Sequence, residues 1–185
     1  MAVEHIKEDL QFVRQTVQAV ESPYPPALNV LWAGIILAGG VWGDVRPLSV
    51  GLYWLAAAPL GFVLSGVIAS RWQRRVGQIS HEAGRNEGLH WAAMLGAAAL
   101  AVPLVVTGKL TPSGLGSVML LLVAMTYVQA GIHLHPRQVW VGLVVALGYL
   151  VTLVVEPYEW TLAGLIIASA LLGQAFTGRA HAATQ

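Results

Sequence analysis

Six apolar stretches, each long enough to cross a bilayer, fill the chain from Pro26 to Thr177: Pro26–Gly43, Leu48–Ser70, Trp91–Gly108, Gly114–Ile132, Gln138–Val155 and Tyr158–Thr177. Their only charged residue is Glu159, at the mouth of the sixth. A hydrocarbon core about 30 Å thick needs roughly 17–25 helical residues, so each stretch qualifies as a span. Only helices and closed barrels satisfy their backbone groups in lipid. Runs such as Leu115–Val128 are apolar on all sides, without the alternation of a barrel strand. The expected fold is therefore all-α: a polytopic bundle of six transmembrane helices.

Composition narrows the function. Charged residues make up 10% of the 185-residue chain, against about 25% in soluble domains, and there is no room for a separate catalytic module. A net charge of +1 gives no reason to expect nucleic acid as a partner. There are no cysteines, which removes disulfides, thiolate metal sites and cysteine nucleophiles together. The polar, acidic N-terminus lacks the order of a signal peptide, so the first span serves as an uncleaved insertion signal.

Orientation follows from Lys and Arg in short loops. With the N-terminus inside, Lys7, Arg14, Arg71, Arg74, Arg75, Arg85, Arg137 and Arg179 are cytoplasmic, and only Arg46 and Lys109 are external. Both termini are thus expected in the cytoplasm. The external turns Asp44–Pro47, Lys109–Ser113 and Glu156–Pro157 are short. Trp42 and Trp160 mark the outer interface, and Trp72, Trp91 and Trp140 the inner one.

Residues 2–21 read as a soluble amphipathic helix. Val3, Ile6, Leu10, Val13, Val17 and Val20 recur at steps of three and four, a narrow stripe flanked by polar residues. Ser22-Pro23-Tyr24-Pro25-Pro26 stops it. The expected organisation is a cytoplasmic helix over 1–22, the six-helix domain over 23–178, and a cytoplasmic tail over 179–185. The segment carries Glu4, Glu8, Asp9 and Glu21 against Lys7 and Arg14, a net charge of −2. Helices that lie on anionic leaflets favour Lys and Arg, so the stripe suits a protein groove or a second copy of the chain. The alternative is that it folds back and seals its own bundle.

Arg71–His90 is expected to be a polar cytoplasmic loop, with Gly77, Gly84 and Gly88 interrupting any long helix, and Pro59 and Pro103 to kink the second and third spans. Small residues recur at four-residue spacing: Gly34/Ala38, Ala93/Ala97/Ala101, Gly142/Ala146, Gly164/Ala168 and Ser169/Gly173. Such faces permit close helix approach in lipid. Intramolecular packing is the simple reading, and a homodimer face on the sixth span, placed at an edge because it comes last, is the sharper one.

The interior carries neutral polar groups only: Asn29, Ser65, Thr107, Ser117, Thr126, Tyr127, Gln129, Tyr149, Thr152 and Gln174. These read as interhelical hydrogen bonds. Proton relays and ion-coupled transporters place ionisable groups in the membrane, so such activities are not expected. Arg71, Arg74 and Arg75 are candidates for lipid headgroups. His133 and His135, joined by His81 or His90, form a candidate metal site, since imidazole suits zinc, copper, iron and nickel. The plainer reading is interfacial side chains, and no cofactor is expected. No nucleotide loop, catalytic triad or paired catalytic carboxylates are present, so the chain is not expected to be an enzyme.

The segment Glu8-Asp9-Leu10-Gln11-Phe12-Val13-Arg14, followed by a proline-rich break and multiple spans, resembles small uncharacterised bacterial inner-membrane proteins that open with an acidic Asp-Leu-x-x-Val-Arg helix. That resemblance implies a bacterial plasma membrane and supplies no catalytic residues. In size and span count the chain is also similar to the substrate-binding components of energy-coupling-factor transporters. The sequence thus leads to a non-enzymatic membrane protein that acts by assembly, as a subunit, sensor or scaffold, through residues 2–21 and the 71–90 segment. The alternative is a solute-binding or transport component with an uncharged pocket, for which a groove rich in Trp32, Trp54, Tyr127 and Tyr149 would be expected.

Overall fold

The computed structural model describes residues 25–76 and 81–183, with side chains over 25–75 and 84–176. The amphipathic segment, with Val3, Ile6, Leu10, Val13, Val17 and Val20, lies outside the described residues. Among those described there are six α-helices, one 3-10 turn and no strand: α1 Pro26–Val45, the turn Pro47–Ser49, α2 Val50–Val76, α3 His81–Val106, α4 Pro112–His133, α5 Gln138–Val154 and α6 Glu159–Ala183.

Five of these helices are long and apolar enough to cross a membrane. The exception is α5, with 17 residues. At about 1.5 Å per residue it reaches roughly 25 Å, short of a full hydrocarbon core. At the other extreme, α6 continues as helix beyond Thr177 to Ala183.

The polar loop expected over 71–90 is largely helical. The 71–90 segment is not a long loop: α2 runs unbroken to Val76 and α3 starts at His81. Gly84 and Gly88 sit inside α3. A single glycine costs a helix only about 1 kcal/mol relative to alanine, too little to stop one supported by neighbouring turns. Pro59 and Pro103 likewise lie within continuous helices.

Helix ends follow local chemistry. Pro26 and Pro112 occupy first turns, where a missing N–H costs nothing. Thr111 caps α4, its hydroxyl accepting from the Gly114 N–H at 3.0 Å. Beyond α3, Gly108 adopts φ +70°. The Gly108 N–H donates to the Val105 carbonyl and the Lys109 N–H to the Leu104 carbonyl, closing a Schellman motif that favours glycine at that position.

The helices pack as an open row in the order α2, α1, α6, α5, α4, α3. The most extensive contact is between α1 and α6, followed by α4 with α5 and α5 with α6. The last helix is therefore central rather than at an edge, which removes the reason for placing a dimer face there. The edges are α2 and α3, consecutive in sequence but without a substantial shared surface.

The core lies where α1, α4, α5 and α6 meet. Ala33, Ala124, Val141, Val145, Ile167, Ala168 and Leu171 form one buried cluster, with Trp32, Ile36, Leu37 and Tyr127 packed against it. Two of the expected small-residue pairs act inside the bundle. Gly142 seats α5 on α4, where an added Cβ would stand 2.8 Å from both the Ala124 carbonyl oxygen and the Val128 nitrogen. Gly164 faces the α1 backbone at Ile36 and Leu37. By contrast Gly34 and Ala38 are exposed, and no atom lies within contact of a Cβ at Gly34.

Candidate functional site

The two ends of the bundle differ in chemistry. One holds the ends of α2, α4 and α6 and the starts of α1, α3 and α5, with Arg71, Arg74, Arg75, Arg85 and Arg137; we call it the arginine end. The other, the aspartate end, holds Asp44, Arg46, Lys109, Glu156 and Glu159.

At the aspartate end, Asp44 fastens α1 to α6. One carboxylate oxygen accepts from the Thr161 N–H at 2.7 Å and the other from the Trp160 N–H at 3.3 Å. These are second and third residues of α6, whose amides normally need a capping side chain. Here α1 supplies the cap from more than a hundred residues away. Trp160 is then wedged in place, its backbone against Gly40, its side chain against Gly43 and its ring against Gly116. Trp160, expected at the outer interface, joins three helices at this end of the bundle. This end is a structural clamp.

The arginine end holds the candidate site. Asn29 of α1 is buried, and its amide donates to Gln174 Oε1 of α6 at 3.1 Å. The Gln174 amide donates in turn to the Arg137 carbonyl at 3.5 Å. This chain of bonds runs from α1 across α6 to the start of α5. Gln138 follows, 4% exposed, and its side-chain oxygen has no hydrogen-bond partner among the described residues. Beside this layer a crease of about 250 Å³ opens between α5 and α6, lined by Arg137, Trp140, Val141, Val144, Ala170 and Gln174. Arg137 and Trp140 are exposed, Trp140 by 73%.

Other expected residues are dispersed. Arg71, Arg74 and Arg75 are exposed on the last turns of α2, and their spacing puts them on one helical face. His133 ends α4 and His135 follows in the turn. The His90 ring nitrogen lies 3.1 Å from the Thr126 carbonyl of α4, with its ring edge-on to Trp91. The side chain of His81 lies outside the described residues. Among the described residues no three of His, Cys, Asp and Glu come together as a metal-binding group.

Three of the four aromatic residues sought for a solute groove make ring contacts within the bundle. Trp32 meets Phe62 edge-on and donates to the Ser65 hydroxyl at 3.0 Å. Trp54 meets Tyr53, and Tyr127 meets Trp91. None of Trp32, Trp54, Tyr127 and Tyr149 lines the α5–α6 crease. Of the neutral polar groups, Asn29 and Ser65 bond between helices as expected, whereas the Thr107, Thr126 and Thr152 hydroxyls bond to carbonyls of their own helices.

No protein-family model matches this chain, and neither the curated proteins nor the solved structures contain a match to it.

Proposed function

We propose that this chain is a non-enzymatic, multi-pass protein of a bacterial inner membrane, with both termini in the cytoplasm, acting by assembly as a subunit, sensor or scaffold. The observation that carries this reading is the open helix row around a filled core. Val145, Ile167 and Leu171 are fully buried at its centre, so the interior is packed like a protein core and offers a poor route for a solute. The edge helices α2 and α3 each rest on one neighbour and expose leucines such as Leu52, Leu55 and Leu100. Patches of this kind favour a lipid or a partner over water. The bacterial setting rests on the resemblance of the Glu8–Arg14 segment, and the orientation on the Lys and Arg count. Arg71, Arg74 and Arg75 then anchor α2 at the cytoplasmic headgroups.

The contact residues in this reading are Val3, Ile6, Leu10, Val13, Val17 and Val20. A stripe one side chain wide would desolvate any charge placed at its centre. Leu10→Asp combined with Val13→Asp should therefore abolish cross-linked assemblies from native membranes while the remaining chain stays in the membrane fraction. Unchanged cross-linking and an unchanged size-exclusion profile would overturn assembly through this segment.

A further inference from the structure

We propose that the α5–α6 crease at the arginine end is a site for one anionic glycerophospholipid, with the Arg137 guanidinium on its phosphate and an acyl chain along Val141, Val144 and Ala170. The inference rests on the membrane reading above and adds to it a ligand class and a place. The crease joins two chemistries in the order a phospholipid presents them. Its mouth carries an exposed guanidinium that no carboxylate pairs among the described residues. Its floor is the apolar seam between two helices. A phosphodiester matches a guanidinium in charge and in planar donor geometry.

Other features of the crease agree. Trp140 stands in its wall with 73% of its surface exposed, as an amphipathic ring at headgroup depth does. The Gln174 amide reaches the Arg137 carbonyl at 3.5 Å, a long contact that ties α6 to the backbone from which the guanidinium projects. At about 250 Å³ the crease is below the usual range of about 300–1,000 Å³ for sites that enclose a small molecule, so it suits part of a lipid whose remainder stays in the bilayer. A zwitterionic headgroup would bring a second cation to Arg137, and that repulsion selects the anionic class. Basic pockets between helices on the cytoplasmic side are the setting in which such headgroups are held.

The test is native mass spectrometry of the full chain, delipidated in mild detergent and titrated with phosphatidylglycerol, phosphatidylcholine or inorganic phosphate. One phosphatidylglycerol should bind in preference to phosphatidylcholine, and Arg137→Gln should weaken it roughly five- to tenfold, the range of about 1–1.4 kcal/mol for one interfacial basic residue. Ala170→Phe, which fills the seam and leaves Arg137 in place, should weaken binding to a similar degree. Inorganic phosphate at millimolar concentration should leave the lipid bound, since it lacks the chain; displacement by phosphate would overturn the lipid assignment in favour of a free anion. Binding that survives both substitutions, or that falls only when Arg71, Arg74 and Arg75 are changed to Gln, would overturn the site. Failure of the membrane reading is distinguishable, because the wild-type chain would then be released from membranes by alkaline carbonate.

Discussion

The Asp44 clamp gives the most exposed prediction. In Asp44→Ala the Trp160 and Thr161 amides lose the carboxylate that accepts from them at 3.3 and 2.7 Å. Loss of a capping side chain costs about 0.5–2 kcal/mol, and a carboxylate at a partly buried helix N-terminus adds up to about 2 kcal/mol through the helix dipole. Because the two terms overlap in the same contact they do not add in full, and about 2–3 kcal/mol is expected. Asp44→Asn keeps an oxygen for the shorter bond and loses the charge, so about 1 kcal/mol should follow. For a chain of this size 1 kcal/mol moves Tm by about 2–4 °C, so Asp44→Ala should lower Tm by roughly 4–12 °C, read from thermal unfolding in detergent by near-UV circular dichroism. If Asp44→Ala melts within about 1 °C of wild type, the carboxylate does not hold α6.

Three further predictions concern packing and placement. Gly142→Leu should destabilise by about 1–3 kcal/mol, the usual cost of overfilling a packed contact, because its Cβ would press on the α4 backbone at Ala124 and Val128; an unchanged Tm would mean that α4 and α5 are not in close contact. Gln138→Leu should be neutral or stabilising by up to about 1 kcal/mol, since it removes a buried oxygen that has no partner among the described residues; a loss above about 1 kcal/mol would show that this oxygen is bonded. Reporters inserted between Val76 and His81 and after Gln185 should both read as cytoplasmic, and one at Lys109–Ser113 as external; an external signal from the C-terminal fusion would reverse the orientation or remove a span.

Much of the helical architecture could be read from the chain because apolar runs and helix-ending residues are local signals. Pro26 and Gly108 mark ends that the structure reproduces, whereas the helix expected from Gly114 starts earlier, at Pro112 with Thr111 as its cap. What was misread had a common cause. Gly84 and Gly88 were weighed by their propensity, yet propensity of about 1 kcal/mol yields to the continuation of a long helix. Helix order could not be read at all, since apolar periodicity says which residues are buried and not against which helix. The central place of α6 depends on Gly40, Gly43 and Gly116 receiving Trp160, a fit among positions far apart in sequence. Asp44 appeared only as a turn residue, because its amide partners lie more than a hundred residues away. Arg137 was counted for orientation alone; its setting beside Trp140 on a helix seam is a tertiary property.

The helix order also has a consequence for synthesis. Translation delivers α1 and α2 first, and these pack on each other. It then delivers α3, α4 and α5, which pack in succession. Little joins these two groups until α6, which follows α5 along the chain, enters between α1 and α5. A chain interrupted before Glu159 would therefore leave the α1 and α5 faces uncovered together, with Asp44 holding no amide. The arrival of α6 is then the step that turns two separate helix groups into one bundle.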